Sequence, residues 1–146
     1  MTAGAGFLLA VLWLDLMFDV QTLTARNREV PDGIRASIAD YYARVTTAAR
    51  PMNWLIAGAM VGTIAAIGVQ LAQGDTALWV GLVSLGLAGA PVLLAAVRTV
   101  PNARRLGIRA DPPSRQSQLA RAICRDHFIC LAGIGALLGL QLALGH

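Results

Sequence analysis

Four long apolar stretches, at about residues 3–23, 53–73, 77–98 and 127–145, alternate along the chain with two polar connections and one very short one. A helix needs roughly 20 largely apolar residues to cross a bilayer, and each stretch meets that length. The pattern predicts an all-α integral membrane four-helix bundle, a single transmembrane domain over residues 1–146.

The connections carry their own periodicity. After span one, GIRASIADYYARVTTAARP sets Ile34, Ile38, Tyr41, Tyr42 and Val45 at helical spacing. This predicts an amphipathic cytoplasmic helix before span two, with Asp32 as its candidate cap, lying along the membrane surface or folded onto the bundle. Pro51 fits the first turn of the next helix. In the second connection, VPNARRLGIRADPPSRQSQ, three prolines and a glycine argue against a long regular helix before Ser114. From there SRQSQLARAICRDH runs unbroken into span four, projecting from the bilayer by several turns. Pro91 is placed to kink span three.

Composition agrees with the pattern: 56% hydrophobic residues, 14% charged and a mean hydropathy of +0.61 are too apolar for a water-soluble fold. The first stretch reads as a retained helix. No basic residue precedes it, Asp15 and Asp19 interrupt it, and no convincing small-residue cleavage site follows.

All twelve basic residues are arginine. Arg26, Arg28, Arg35, Arg44 and Arg50 lie between spans one and two, and the other seven run from Arg98 to Arg125. The short connection QGDT holds only Asp75. Basic loops stay on the cytoplasmic side, so the expectation is a multi-pass protein of the cell (cytoplasmic) membrane with both long connections inside and both termini outside. A net charge of +4 and a pI near 10.0 then reflect topology and attraction to membrane lipids with anionic inner-leaflet headgroups. Nucleic acid is discounted as a partner. Cys124 and Cys130, six apart on different helix faces in a reducing compartment, suggest neither a disulfide nor a zinc site.

Gly58 and Gly62, Ser84 and Ala88, and Gly135 and Gly139 are four apart, a spacing that lets helix backbones approach and favours a homo-oligomer or a partner membrane protein. Trp54 and Trp79 fall near opposite interfaces as anchors. No phosphate-binding loop, HExxH motif or nucleophile elbow is present.

The candidate chemistry lies in LWLDLMFDVQ. Asp15, Asp19, Thr22 and Arg26 form one helical stripe, with Asp19 about 6 Å and Asp15 about 12 Å inside the cytoplasmic end of span one at 1.5 Å rise per residue. A carboxylate at that depth costs roughly 2.5–3.5 kcal/mol and needs a partner. Arg50 and Asn53 open span two, Arg98 closes span three, and Arg125, Asp126 and His127 begin span four. All four spans therefore supply polar groups to one layer. Tyr41 and Tyr42, with Asp40, line its mouth if their helix folds beneath the bundle.

Two readings follow. In the first, the chain is a lipid- or partner-binding assembly subunit whose aspartates pair with Arg50, Arg98 or Arg125 to fix the register of the bundle. In the second, it is a membrane enzyme acting on a lipid-like or quinone-like substrate. Asp15 or Asp19 then serves as general base, His127 as acid/base, and Arg98 and Arg125 hold an anionic group. Arg50, Asn53, Asp126 and Tyr41 complete the candidate ligand-binding set. Asp15, Asp19, Asp126 and His127 would also suit a divalent metal with mixed ligands, and cofactor identity stays open. Gln70 and Gln141 lie toward the outer side of spans two and four, and no ionisable residue lies within a span on that side, which disfavours a proton path across the bilayer.

Overall fold

A computed structural model describes residues 2–25, 28–48, 50–74 and 76–144. Arg26, Asp75 and the side chain of Arg50 lie outside the described residues. Helix α1 (Thr2–Asp19) tightens into a 3₁₀ turn at Val20–Ala25. Helix α2 (Asp32–Ala43) widens into a π turn at Arg44–Ala48, and α3 (Arg50–Gln73) follows. Helix α4 (Leu78–Leu94) passes through a second π turn (Ala95–Thr99) directly into α5 (Val100–Ile108), and α6 (Pro113–Leu144) completes the chain. The fold is all-α, with no strand among the described residues. Four helical stretches, Thr2–Ala25, Pro51–Gln73, Leu78–Ile108 and Pro113–Leu144, are long and apolar enough to cross a membrane.

Helix α6 is the hub, packing along α1 on one side and α4 on the other, while α3 closes against α4 and α1. Ala5, Leu8, Ile67, Ala88, Ile134 and Leu137 form the core between the four passes. The closest backbone approach on α6 depends on Gly133. A β-carbon there would meet the Pro91 ring at 2.8 Å and the Leu87 carbonyl at 3.3 Å, so a side chain would push α4 away. Pro91 has no N–H to donate to that turn of α4, and the π turn begins one helical turn later.

A second core lies at the arginine-rich end. Ile38, Ala39 and Tyr42 of α2 pack on Ala103 and Leu106 of α5 and on Leu119, Ala120 and Ile123 of α6. The amphipathic helix is thus folded onto the bundle rather than spread along its surface. Its partner α5 is a regular helix of nine residues within the stretch where prolines and glycine argued against a long one before Ser114. Pro101 sits in the first turn of α5, where no intrahelical N–H bond is required. Gly107 admits α2, since a β-carbon there would lie 2.8 Å from the Ala43 nitrogen. The helix ends at Arg109, which takes the left-handed conformation at φ 58° usual for glycine and donates its N–H to the Leu106 carbonyl. Pro112 and Pro113 then start α6.

Polar contacts lash this end together. Arg105 grips Asp111 through two hydrogen bonds of 2.6 and 2.7 Å, Arg109 bridges to Asp40 at 2.7 Å, and the Ser117 hydroxyl accepts from the Val30 N–H. Asp32 does not cap α2; its carboxylate pairs with Arg35 instead. Of the three small-residue pairs, Ser84 and Ala88 are buried, and Ser84 accepts a hydrogen bond from Gln141. Gly58, Gly62 and Gly139 face open space. Trp54 and Trp79 are exposed near opposite ends of adjacent passes.

Candidate functional site

The polar layer separates into two sites on different faces of α6. Consecutive helix residues point about 100° apart, and Asp126 and His127 are consecutive. His127 turns toward α1 and Asp126 toward the π turn after α4.

On the α1 side, Asp15 and Asp19 stand one turn apart and α2 crosses beneath them. His127 Nδ1 lies 2.6 Å from Asp19 Oδ2, and its Nε2 lies 3.8 Å from Asp15 Oδ2. Tyr42 donates its hydroxyl to Asp19 Oδ1 at 2.7 Å, while Tyr41 donates to Asp15 Oδ1 at 2.5 Å. Asp19 therefore has a protein partner on each oxygen, the arrangement that suits an acceptor-only carboxylate. With Nδ1 donating to Asp19, the second ring nitrogen is free to face Asp15. The Tyr41 ring stacks on Phe18 with centroids 4.2 Å apart, which holds its hydroxyl at Asp15.

Burial completes the description of this cluster. Asp19 is fully buried, His127 and Tyr42 nearly so, and the Asp15 side chain keeps 18% of its surface exposed. Burial and the neighbouring aspartates push both tyrosine hydroxyls far above their ordinary value of 10.0. Both tyrosines thus remain hydrogen-bond donors throughout the physiological range.

On the α4 side, Asp126 is fully buried and lies 3.1 Å from Arg98 Nε and 3.9 Å from Arg125 Nε. Neither of its oxygens accepts a hydrogen bond among the described residues.

The sequence expected one shared layer. The structure brings Asp15, Asp19, His127, Tyr41 and Tyr42 together and sends Asp126, Arg98 and Arg125 elsewhere. Arg98 and Arg125 thus do not partner the aspartates of span one, and the mixed set of Asp15, Asp19, Asp126 and His127 is not assembled around one point. Among the described residues no three His, Cys, Asp or Glu side chains stand in a metal-holding group. Asn53 lies apart from both sites, donating to the Val45 carbonyl at 2.8 Å beside the first π turn. Asp40 faces Arg109 rather than the cluster. Tyr42, read from the sequence both as an apolar position of α2 and as a residue at the mouth of the layer, does both: its aromatic ring fills that core while its hydroxyl reaches Asp19.

Two grooves mark the surface of the arginine-rich half. One, of 440 Å³, runs beside α6 between Leu23 and Phe128 with Arg121 and Arg125 at its mouth. The other, of 330 Å³, lies between the first π turn and α5, lined by Thr46, Thr47, Arg104 and Ile108. Neither is lined by Asp15, Asp19 or His127.

The fold and these sites define a small helical protein with four membrane-compatible passes and two buried polar sites near one end. Comparison with family models, with curated proteins and with solved structures returned no match, so its function is argued from its own residues.

Proposed function

We propose that this chain is a non-catalytic membrane subunit whose arginine-rich side faces the cytoplasm and engages anionic lipid headgroups or a partner protein. One observation carries the reading: the acidic groups within the passes are met by groups of the same chain, whereas several arginines at that end project outward. Asp15 and Asp19 are held by Tyr41, Tyr42 and His127, and Asp126 is matched by Arg98. The first set fastens α2 to α1 and α6, and the pair of Asp126 with Arg98 fastens α6 to the turn after α4. Buried polar pairs of this kind specify one arrangement of helices more than they add stability. Arg44, Arg104 and Arg125 meanwhile present exposed guanidinium groups, which suit phosphate and carboxylate acceptors.

The test is to place the protein in lipid nanodiscs of phosphatidylcholine alone or of an equimolar mixture with phosphatidylglycerol. Thermal unfolding is expected at a higher temperature in the mixture, with the difference shrinking as salt is raised. Equal unfolding temperatures in both would overturn the lipid form of the proposal, and purification from native membranes without a stoichiometric partner would overturn the other.

A second reading, an enzyme acting on a lipid-like or quinone-like substrate, draws on the exposed edge of Asp15. That edge lies next to a histidine whose other nitrogen is anchored on Asp19, an arrangement able to pass a proton. Asp15→Asn separates the two. A folded variant with lost turnover supports the enzyme, and loss of helix packing alone supports the subunit.

A further inference from the structure

We infer that the groove beside α6 is a specific site for one anionic membrane phospholipid. The inference rests on the reading of the arginine-rich side given above and names the place where a lipid is held.

Arg121 and Arg125 stand one turn apart on α6 at the mouth of the groove. Among the described residues neither charge has a carboxylate of its own. Arg125 is 62% exposed, and the carboxylate within 4 Å of it, Asp126 at 3.9 Å, is already matched by Arg98 at 3.1 Å. Arg121 donates through Nη2 to the Arg28 carbonyl, a neutral acceptor. Its Nε is shielded from solvent and makes no hydrogen bond among the described residues. Two like charges one turn apart repel each other. An anionic oxygen between them relieves that repulsion. Guanidinium and phosphate match in a two-point geometry.

Below the arginines the lining turns apolar. Leu23 from the end of α1 faces Phe128, Ile129 and Ala132 of α6, and all four side chains are exposed. From Arg121 to Ala132 the helix rises about 16 Å at 1.5 Å per residue, enough to carry a ligand from headgroup level into the hydrocarbon. A free phosphate would use only the mouth. A phospholipid uses the whole groove, its acyl chain along Phe128 and Ile129.

Native mass spectrometry of the full chain in detergent, with phosphatidylglycerol, phosphatidylcholine or inorganic phosphate added, tests this. Wild type should retain one phosphatidylglycerol in preference to phosphatidylcholine. R121Q/R125Q should lower that preference about thirtyfold, the effect of two basic side chains at an anionic surface. A132W, which fills the apolar part and leaves both charges, should also weaken retention. R109Q/R115Q, neither of which lines the groove, should retain lipid as wild type does, with folding of every variant checked by circular dichroism. Competition by inorganic phosphate together with full retention by A132W would overturn the lipid site in favour of a simple anion site. Equal losses in R121Q/R125Q and R109Q/R115Q would overturn it in favour of diffuse attraction, leaving the broader reading intact. A wild type indifferent to phosphatidylglycerol would defeat the site and with it the lipid form of the broader reading.

Discussion

Asp126 and His127 are neighbours on α6, yet each solves the problem of a buried polar group differently. The His127 site is a hydrogen-bonded assembly of side chains from α1, α2 and α6. At the Asp126 site a carboxylate faces guanidinium groups at ion-pair distance and accepts no hydrogen bond among the described residues. The first site joins three helices and fixes where α2 sits. The second joins α6 to the turn after α4, and both of its arginines still reach solvent. A polar group that must bind several elements requires directional partners; one that only needs its charge balanced does not.

The largest expected effect tests the first site. His127→Ala removes the group between Asp15 and Asp19 and leaves two carboxylates facing each other, so a loss of about 3–5 kcal/mol is expected, read by chemical unfolding in detergent. A loss below that range would show that the tyrosines alone hold the aspartates. At the second site, Arg98→Ala should cost less, about 1–3 kcal/mol, because Arg98 is already 41% exposed and Arg125 stands near the same carboxylate. Adding Asp126→Leu should recover most of that loss, since an apolar replacement leaves no buried charge. Failure to recover would mean that Asp126 has a role beyond pairing.

The tyrosines rank the contacts within the first site. Tyr42→Phe leaves a fully buried Asp19 oxygen without a donor and should cost about 1–3 kcal/mol, whereas Tyr41→Phe, at a partly exposed carboxylate, should cost about 0.5–1.5 kcal/mol. Ultraviolet titration gives an independent check, as the chain has two tyrosines and both are in this site. Their folded values are raised, so the stability they contribute is fully present below pH 10.0 and is lost as pH rises from there toward the folded values. Phenolate absorbance appearing near pH 10 in folded protein would contradict the contacts described.

The smallest effect contrasts both buried sites with a surface pair. Asp111, held by Arg105, ionises below its ordinary value of 3.8, and its contribution is present above that value and lost as pH falls through the folded one. Arg105→Gln should return the Asp111 titration to the ordinary range by NMR with little change in unfolding temperature.

The sequence by itself determined the number of passes, the all-α class and the amphipathic helix before span two, because long apolar runs and helical periodicity are local signals and membrane passes must satisfy their backbone within each helix. It also showed that Asp15 and Asp19 need partners. Tertiary structure decided which partners they found. His127, Tyr41 and Tyr42 are more than twenty residues away from them in the chain, and only the fold of α2 under the bundle brings the hydroxyls to the carboxylates. Arginine was the more obvious counterpart on charge, but Arg98 is directed to the other face of α6 and is met there by Asp126. Helix α5 was hidden for a related reason: proline and glycine discourage a helix in isolation, whereas here Pro101 occupies a first turn and Gly107 makes room for α2. Local pattern sets which segments are helical, and the rotation of each helix against its neighbours sets which polar groups meet.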